Sequence, residues 1–359
     1  MREQEPILRQ YIDLLITKLR EKCGQQETSV DIVEWYNFTT FDIIGHLAFG
    51  ESFDCLKDSA YHQWVHMMFA SLKFIGKTRA LNRLHPWLGR LTMRLAAFQS
   101  ASLRQKFVDV SNMSGEKLAR RAERQPEYTD FMTHLLAAKN KGQLEWADLQ
   151  SNAAPIVIAG SETTATLLSG ATFYLLTHRP AYEKLKAEVR GAFKDDSEIT
   201  AARVGELPYL LAVLDESLRM YPPGANAHLR RTPPEGAMID GKFVPGGLVM
   251  GMNQYAVHRS ELNFARADEF VPERWIDVDE GPWKNDQRDA VQPFSYGPRN
   301  CIGRNLAYHE MRLILTKLVR NFDMELMPES NNWLDQDVFI VWEKHPLFVK
   351  LKPVDFAAN

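Results

Sequence analysis

The segment Ala153–Leu176 constrains this chain more than any other. It is apolar along most of its length, yet Glu162 and several Ser and Thr interrupt it. A membrane-spanning helix needs an unbroken apolar run of roughly 18 residues or more. A lone Glu at bilayer depth is costly. The segment therefore reads as part of a buried helix in a soluble domain. Helical spacing extends it to about Trp146–Thr177, where His178-Arg179-Pro180 stops it.

The texture on either side fits that reading. In Glu5–Arg20, Leu8, Ile12, Leu15 and Leu19 recur at steps of three and four, an amphipathic helical face. Further helical patterns cover about Val30–Leu47, ending near Gly50, then Trp64–Leu72, Leu103–Glu123 and Thr129–Ala138. Another helix starts at Pro208 and stops before Pro222-Pro223-Gly224. Residues 225–251 change character, with short β-like runs punctuated by Pro and Gly. Residues 262–300 show no period, and irregular stretches of that length in compact domains are usually functional. A last helix is expected over about Ile302–Val319, followed by short strands. No internal repeat or low-complexity linker appears. The expectation is one domain over residues 1–359, mainly α with small β-sheets.

Composition narrows the function classes. Lys and Arg total 43 against 46 Asp and Glu, so no basic excess suggests a nucleic-acid partner. Only three cysteines occur, Cys23, Cys55 and Cys301, with no Cys-x-x-Cys pair. That set argues against a disulfide framework and a structural zinc site, and for a reducing compartment. Met1–Arg20 alternates charged and apolar groups, unlike a secretory signal.

The strongest chemical signal is Phe294-Ser295-Tyr296-Gly297-Pro298-Arg299-Asn300-Cys301-Ile302-Gly303. Gly297 permits a tight turn. Cys301 falls where a loop meets a helix start, whose free N–H groups and dipole favour a thiolate. Gly303 leaves room for a flat group, and Arg299 offers a cation suited to a carboxylate. A thiolate so placed is what iron needs to be pushed towards O–O cleavage. The plainer alternative is a free cysteine in a turn.

A second signal is Ala159-Gly160-Ser161-Glu162-Thr163-Thr164, inside the long helix. Glycine weakens a helix interior by about 1 kcal/mol, and Thr can divert its hydroxyl to a backbone carbonyl. A local opening with a polar lining is one reading; a small-residue helix contact is the other. Third, Glu216-Ser217-Leu218-Arg219 places Glu216 and Arg219 on one helix face, although most such pairs are solvated and worth little.

The cysteine segment resembles the ligand loop of the cytochrome P-450 family at its defining positions. Ala159–Thr164, Glu216–Arg219 and Pro272-Glu273-Arg274-Trp275 resemble other family segments, in the family's order. The resemblance implies haem b with Cys301 as axial thiolate ligand and with Phe294, Gly297, Gly303, Ala159 and Gly160 around it. Arg299 and Arg231 would face the propionates, with His228 and Arg230 as neighbouring candidates. Thr163 would hold the oxygen and relay protons, with Glu162 as the nearby acid. Glu216, Arg219 and Arg274 would form a buried triad.

The implied function is monooxygenation: one atom of O2 inserted into an apolar small molecule, with electrons from an NADPH-dependent cytochrome reductase. The general flavour is similar to fungal secondary-metabolism members. An inactive relative, or a haem-thiolate isomerase or dehydratase, is the alternative. The resemblance further implies a place at the cytoplasmic face of the endoplasmic reticulum membrane, with the family's anchor expected to precede the region matching Met1. The chain is also expected to be N-terminally truncated, because the family's first strands and its Trp-x-x-x-Arg helix have no counterpart here.

Overall fold

The computed structural model describes residues 3–24, 26–99, 101–124 and 128–355. The amphipathic face near the start forms α1 (Glu5–Cys23), burying Leu8, Ile12, Leu15 and Leu19. Strand β1 (Thr28–Asp31) follows, then α2 (Ile32–Phe49). The expected helix from Val30 is thus corrected at its beginning. Asp31 is extended, and its carboxylate accepts from the Val33 N–H at 3.0 Å, which caps α2 and leaves Val30 to the strand. Gly50 closes α2 in a left-handed conformation, its N–H on the His46 carbonyl at 2.8 Å.

Next come the short α3 (Cys55–Asp58), α4 (Gln63–Leu84), α5 (Pro86–Gln99), α6 (Ala101–Glu123) and α7 (Phe131–Asn140). The central helix α8 runs over Trp146–Thr177, the span read from sequence. Helix α9 (Arg179–Ala192) was not foreseen, because Pro180 reads as a breaker; it occupies the first turn of α9, where its missing N–H costs nothing. Then follow α10 (Ala201–Val204) and α11 (Pro208–Met220).

The Pro- and Gly-punctuated region forms two antiparallel ribbons. One pairs β2 (Arg230–Arg231) with β5 (Val249–Met250), the other β3 (Ala237–Ile239) with β4 (Lys242–Val244). After α12 (Gln254–His258), the irregular stretch holds only short 3-10 turns as far as α13 (Arg304–Asn321). Strands β6 (Phe322–Leu326) and β7 (Phe348–Pro353) join β1 in an antiparallel sheet ordered β1-β7-β6, with Val30 opposite Val349.

The core gathers around α8, which packs on α2, α6, α11 and α13. Two glycines allow that closeness. A Cβ on Gly160 would lie 2.6 Å from Ile44 Cδ1 of α2, and one on Gly170 would lie 2.5 Å from the Tyr221 ring. Beyond Gly160, α8 is buried on nearly all sides as far as Leu176, which answers the apolar run.

Candidate active site

Cys301 lies in the loop that feeds α13. Its backbone N–H donates to the Phe294 carbonyl at 2.8 Å, and Asn300 N–H to Gly297 O at 3.0 Å, so the loop is tied at both ends. Ser295 and Gly297 take positive φ, 59° and 80°. Gly303 caps α13, and a Cβ there would meet only the Cys301 Sγ, at 3.8 Å. Nothing lies within 4 Å of the Cβ that Gly297 lacks. The Cys301 thiol is free and exposed, whereas Cys23 and Cys55 are buried. Phe294 rests on the Tyr308 ring at 5.4 Å between centroids, and the Tyr308 hydroxyl donates to Asp215 of α11 at 2.7 Å. The loop is thereby anchored to the core while its thiol faces outward.

On α8, Ala159 is exposed although the next turns are enclosed. The Thr163 hydroxyl donates back to the Ala159 carbonyl at 2.7 Å, the diversion expected of a threonine there. Gly160 has a packing role, since Ile44 fills the space a side chain would take. Of the two readings left open for this glycine, the helix contact is the one observed. Glu162 is buried, and its carboxylate pairs with the ammonium of Lys344, which also donates to Thr166 Oγ1 at 2.8 Å.

Glu216, Arg219 and Arg274 form one fully buried network. Arg219 donates to both Glu216 oxygens, at 2.9 and 2.8 Å, and Arg274 Nε donates to Oε1 at 3.1 Å. Trp275 Nε1 and the Val271 N–H complete the set at 2.9 and 2.8 Å. Asp286 pairs with the other side of Arg274. Neither Asp286 nor Lys344 carries a signal in sequence: one sits in the aperiodic stretch, the other in the irregular run before β7. Trp275 could have been read from the Pro272–Trp275 segment.

The two arginines of β2 diverge. Arg230 Nη2 comes within 3.5 Å of Ser295 Oγ in the cysteine loop, while Arg231 Nη1 donates to Gly247 O at 2.7 Å. The structure therefore brings Arg230 to the loop and leaves Arg231 on the neighbouring turn. Arg299 is exposed beside Cys301. Two further buried groups escaped sequence reading. Burial pushes the Glu310 acid of α13 well above the usual carboxyl range. His258, enclosed with both ring nitrogens unpartnered, is pushed down to about 4, chiefly by desolvation.

These residues fit a thiolate-bound haem. An exposed thiol precedes a helix start, small residues leave a flat group room on one side, and Ala159 is open just before the enclosed half of α8. Fold and site define the class as a haem-thiolate oxidoreductase. The family model described as cytochrome P-450 matches residues 1–351. The chain is 45% identical over 354 residues to cytochrome P-450 monooxygenase astA of Talaromyces wortmannii, covering 98% of this chain and 70% of that protein. It is 42% identical to monooxygenase aclL of Aspergillus oryzae, with the same coverage. It is 45% identical to the averantin hydroxylase of Dothistroma septosporum, covering 98% of this chain and 66% of that protein. The chain belongs to the cytochrome P-450 family, and its chemistry is that of an oxygen-incorporating monooxygenase.

Proposed function

We propose that this chain inserts one atom of O2 into an apolar small molecule of secondary metabolism, with the Cys301 thiolate as axial ligand to haem b. The observation that carries the reading is the exposed thiol held two residues before the Gly303 cap of α13. Haem, when bound, supplies the activation of O2. The chain's own residues do the rest. The bond from Cys301 N–H to Phe294 O fixes the ligand loop just before the start of α13. Arg299 and Arg230 offer cations to the propionates, with Arg231 one residue further along β2. Thr163 holds a proton beside Ala159, and Glu162 supplies one from behind. Glu216, Arg219 and Arg274 lock the core on the thiolate side.

Electrons come from an NADPH-dependent cytochrome reductase in this reading, at the cytoplasmic face of the endoplasmic reticulum. Residues 1–359 act as one domain. Among the described residues no helix is long and apolar enough to cross a membrane, so membrane attachment is tested by fractionation of cells expressing the native gene. Averantin, which the Dothistroma relative's name supplies, belongs in the first substrate panel.

The deciding experiment is incubation of the haem-loaded protein with reductase, NADPH, 18O-labelled O2 and that panel. One labelled oxygen per product supports monooxygenation. Turnover that needs no NADPH, or product without label, refutes it in favour of isomerase or dehydratase chemistry.

A further inference from the structure

Helix α11 carries two acids side by side that serve different partners. Successive side chains on an α-helix point about 100° apart. Glu216 turns into the arginine network, whereas Asp215 turns to α13, where its Oδ1 accepts from the Tyr308 hydroxyl at 2.7 Å. Tyr308 lies four residues after Arg304, on the same face of α13. Long side chains on a helix lean back towards its N-terminus, so the Tyr308 ring leans towards the cysteine loop. Phe294 packs on that ring, with 5.4 Å between centroids and 40° between planes.

Two cations hold the ring pair. The Arg304 guanidinium lies 5.8 Å from the Phe294 centroid and 5.9 Å from that of Tyr308, and Arg312 lies 4.9 Å from the Tyr308 ring. Burial raises the Tyr308 phenol above its ordinary range, so it remains a donor. Burial also raises the Asp215 carboxyl, while the Tyr308 bond and the Arg312 and Arg304 charges pull it back down. At the far end, the Phe294 carbonyl accepts from the Cys301 N–H at 2.8 Å. Contacts thus run without a gap from α11 through Tyr308 and Phe294 to Cys301. The bond from Asn300 N–H to Gly297 O lies within the loop and ties nothing to the core.

We propose that Tyr308 and Asp215 are positioning residues for the Cys301 sulfur: their hydrogen bond fixes the ring on which Phe294 rests, and Phe294 fixes the loop. The proposal rests on the reading of Cys301 as axial ligand given above. A ligand sulfur keeps its bond to a metal only while its loop holds it in place. Partners one contact beyond a metal's ligands typically account for about 10–100-fold in affinity or activity. Tyr308 acts through Phe294 rather than on Cys301 directly, so the lower end of that range applies. Without its hydroxyl the Tyr308 ring still carries Phe294 but turns more freely, and the sulfur is lost sooner.

The test uses the haem-loaded protein, reduced and carbon-monoxide-bound, in urea too dilute to change its circular dichroism. The readout is the time over which the strongly red-shifted band of thiolate-bound haem gives way to the shorter-wavelength band of haem without the thiolate. Tyr308→Phe and Asp215→Leu should each shorten that time about tenfold. Asp215→Asn should stay within about twofold of wild type, because its amide oxygen still accepts from the hydroxyl. Tyr308→Phe combined with Asp215→Leu should be no faster than either alone, since the same bond is lost in all three. Tyr36→Phe removes a buried 2.6 Å bond between α2 and Thr172 of α8, and should leave the time unchanged. Asp215→Ala replaces Asp215→Leu if the latter does not fold. Wild-type times in Tyr308→Phe and Asp215→Leu, an equal shortening in Tyr36→Phe, or an Asp215→Asn as fast as Asp215→Leu would overturn the inference and leave Cys301 as the ligand. A wild type that binds haem and never shows the red-shifted band would overturn the reading of Cys301, and the inference with it.

Discussion

Glu216→Ala puts the buried network to a quantitative test. The carboxylate accepts five hydrogen bonds: two from Arg219, and one each from Arg274, Trp275 and Val271. Glu216, Arg219 and Arg274 have side chains 0% exposed. Removing Glu216 leaves Arg274 with Asp286, but leaves Arg219 with neutral acceptors only, the carbonyl oxygens of His258, Ala267 and Glu269 and the Met220 sulfur. A buried cation stripped of its counter-charge costs about 3–5 kcal/mol. The surviving carbonyl bonds place the expected loss near about 3 kcal/mol, since they keep part of the cation's solvation. The assay is urea unfolding of both proteins in the same haem state. With a slope on the order of 3 kcal/mol per molar, the midpoint should fall by about 1 M. Glu216→Gln, which keeps the shape and some bonds, should fall less. A midpoint within about 0.3 M of wild type would mean the network is worth no more than a solvated pair, and would refute the reasoning.

Two further outcomes follow from the packing and the buried titrating groups. Gly160→Ala should gain about 1 kcal/mol of helix propensity and lose about 1–3 kcal/mol to overlap with Ile44; in an Ile44→Ala background the overlap disappears, so the same change should become stabilising, and a double-mutant cycle with no coupling would contradict the contact. His258, held neutral down to about 4 in the fold against 6.5 when free, makes the unfolded chain take up a proton first as pH falls. Stability should therefore drop between pH 6.5 and about 4, and His258→Leu should flatten that part of the curve; identical slopes for variant and wild type would refute it.

Much of the fold was legible because the local signals and the tertiary demands agree. The run Ala153–Leu176 could only be a buried helix, and Trp146 and Thr177 bound it as read. Pro208 opens α11 for the reason a first-turn proline does. Where a residue serves two purposes, sequence misled. Pro180 both follows the end of α8 and sits in the first turn of α9, and only the stop was visible. Val30 carries an apolar side chain compatible with either periodicity, and pairing with Val349, far along the chain, decides for the strand.

The site divides the same way. Glu216 and Arg219, three apart on one face, advertise their contact, and Arg274 adds to it through a neighbouring segment in family order. Asp286 and Lys344 reach their partners across long loops, a relation that spacing does not encode. Gly160 read equally as an opening or as a contact until Ile44 appeared against it. In β2, period-two alternation sends one of two adjacent arginines to the cysteine loop, and only the register with β5 tells which.

The account stands on Cys301 as the iron ligand. Its most direct test is the carbon-monoxide difference spectrum of the reduced, haem-loaded protein, wild type beside Cys301→Ala. The expected result is the strongly red-shifted band of thiolate-bound haem in wild type and its loss in the variant. A variant that keeps the band, or a wild type that binds haem and never shows it, would contradict the assignment.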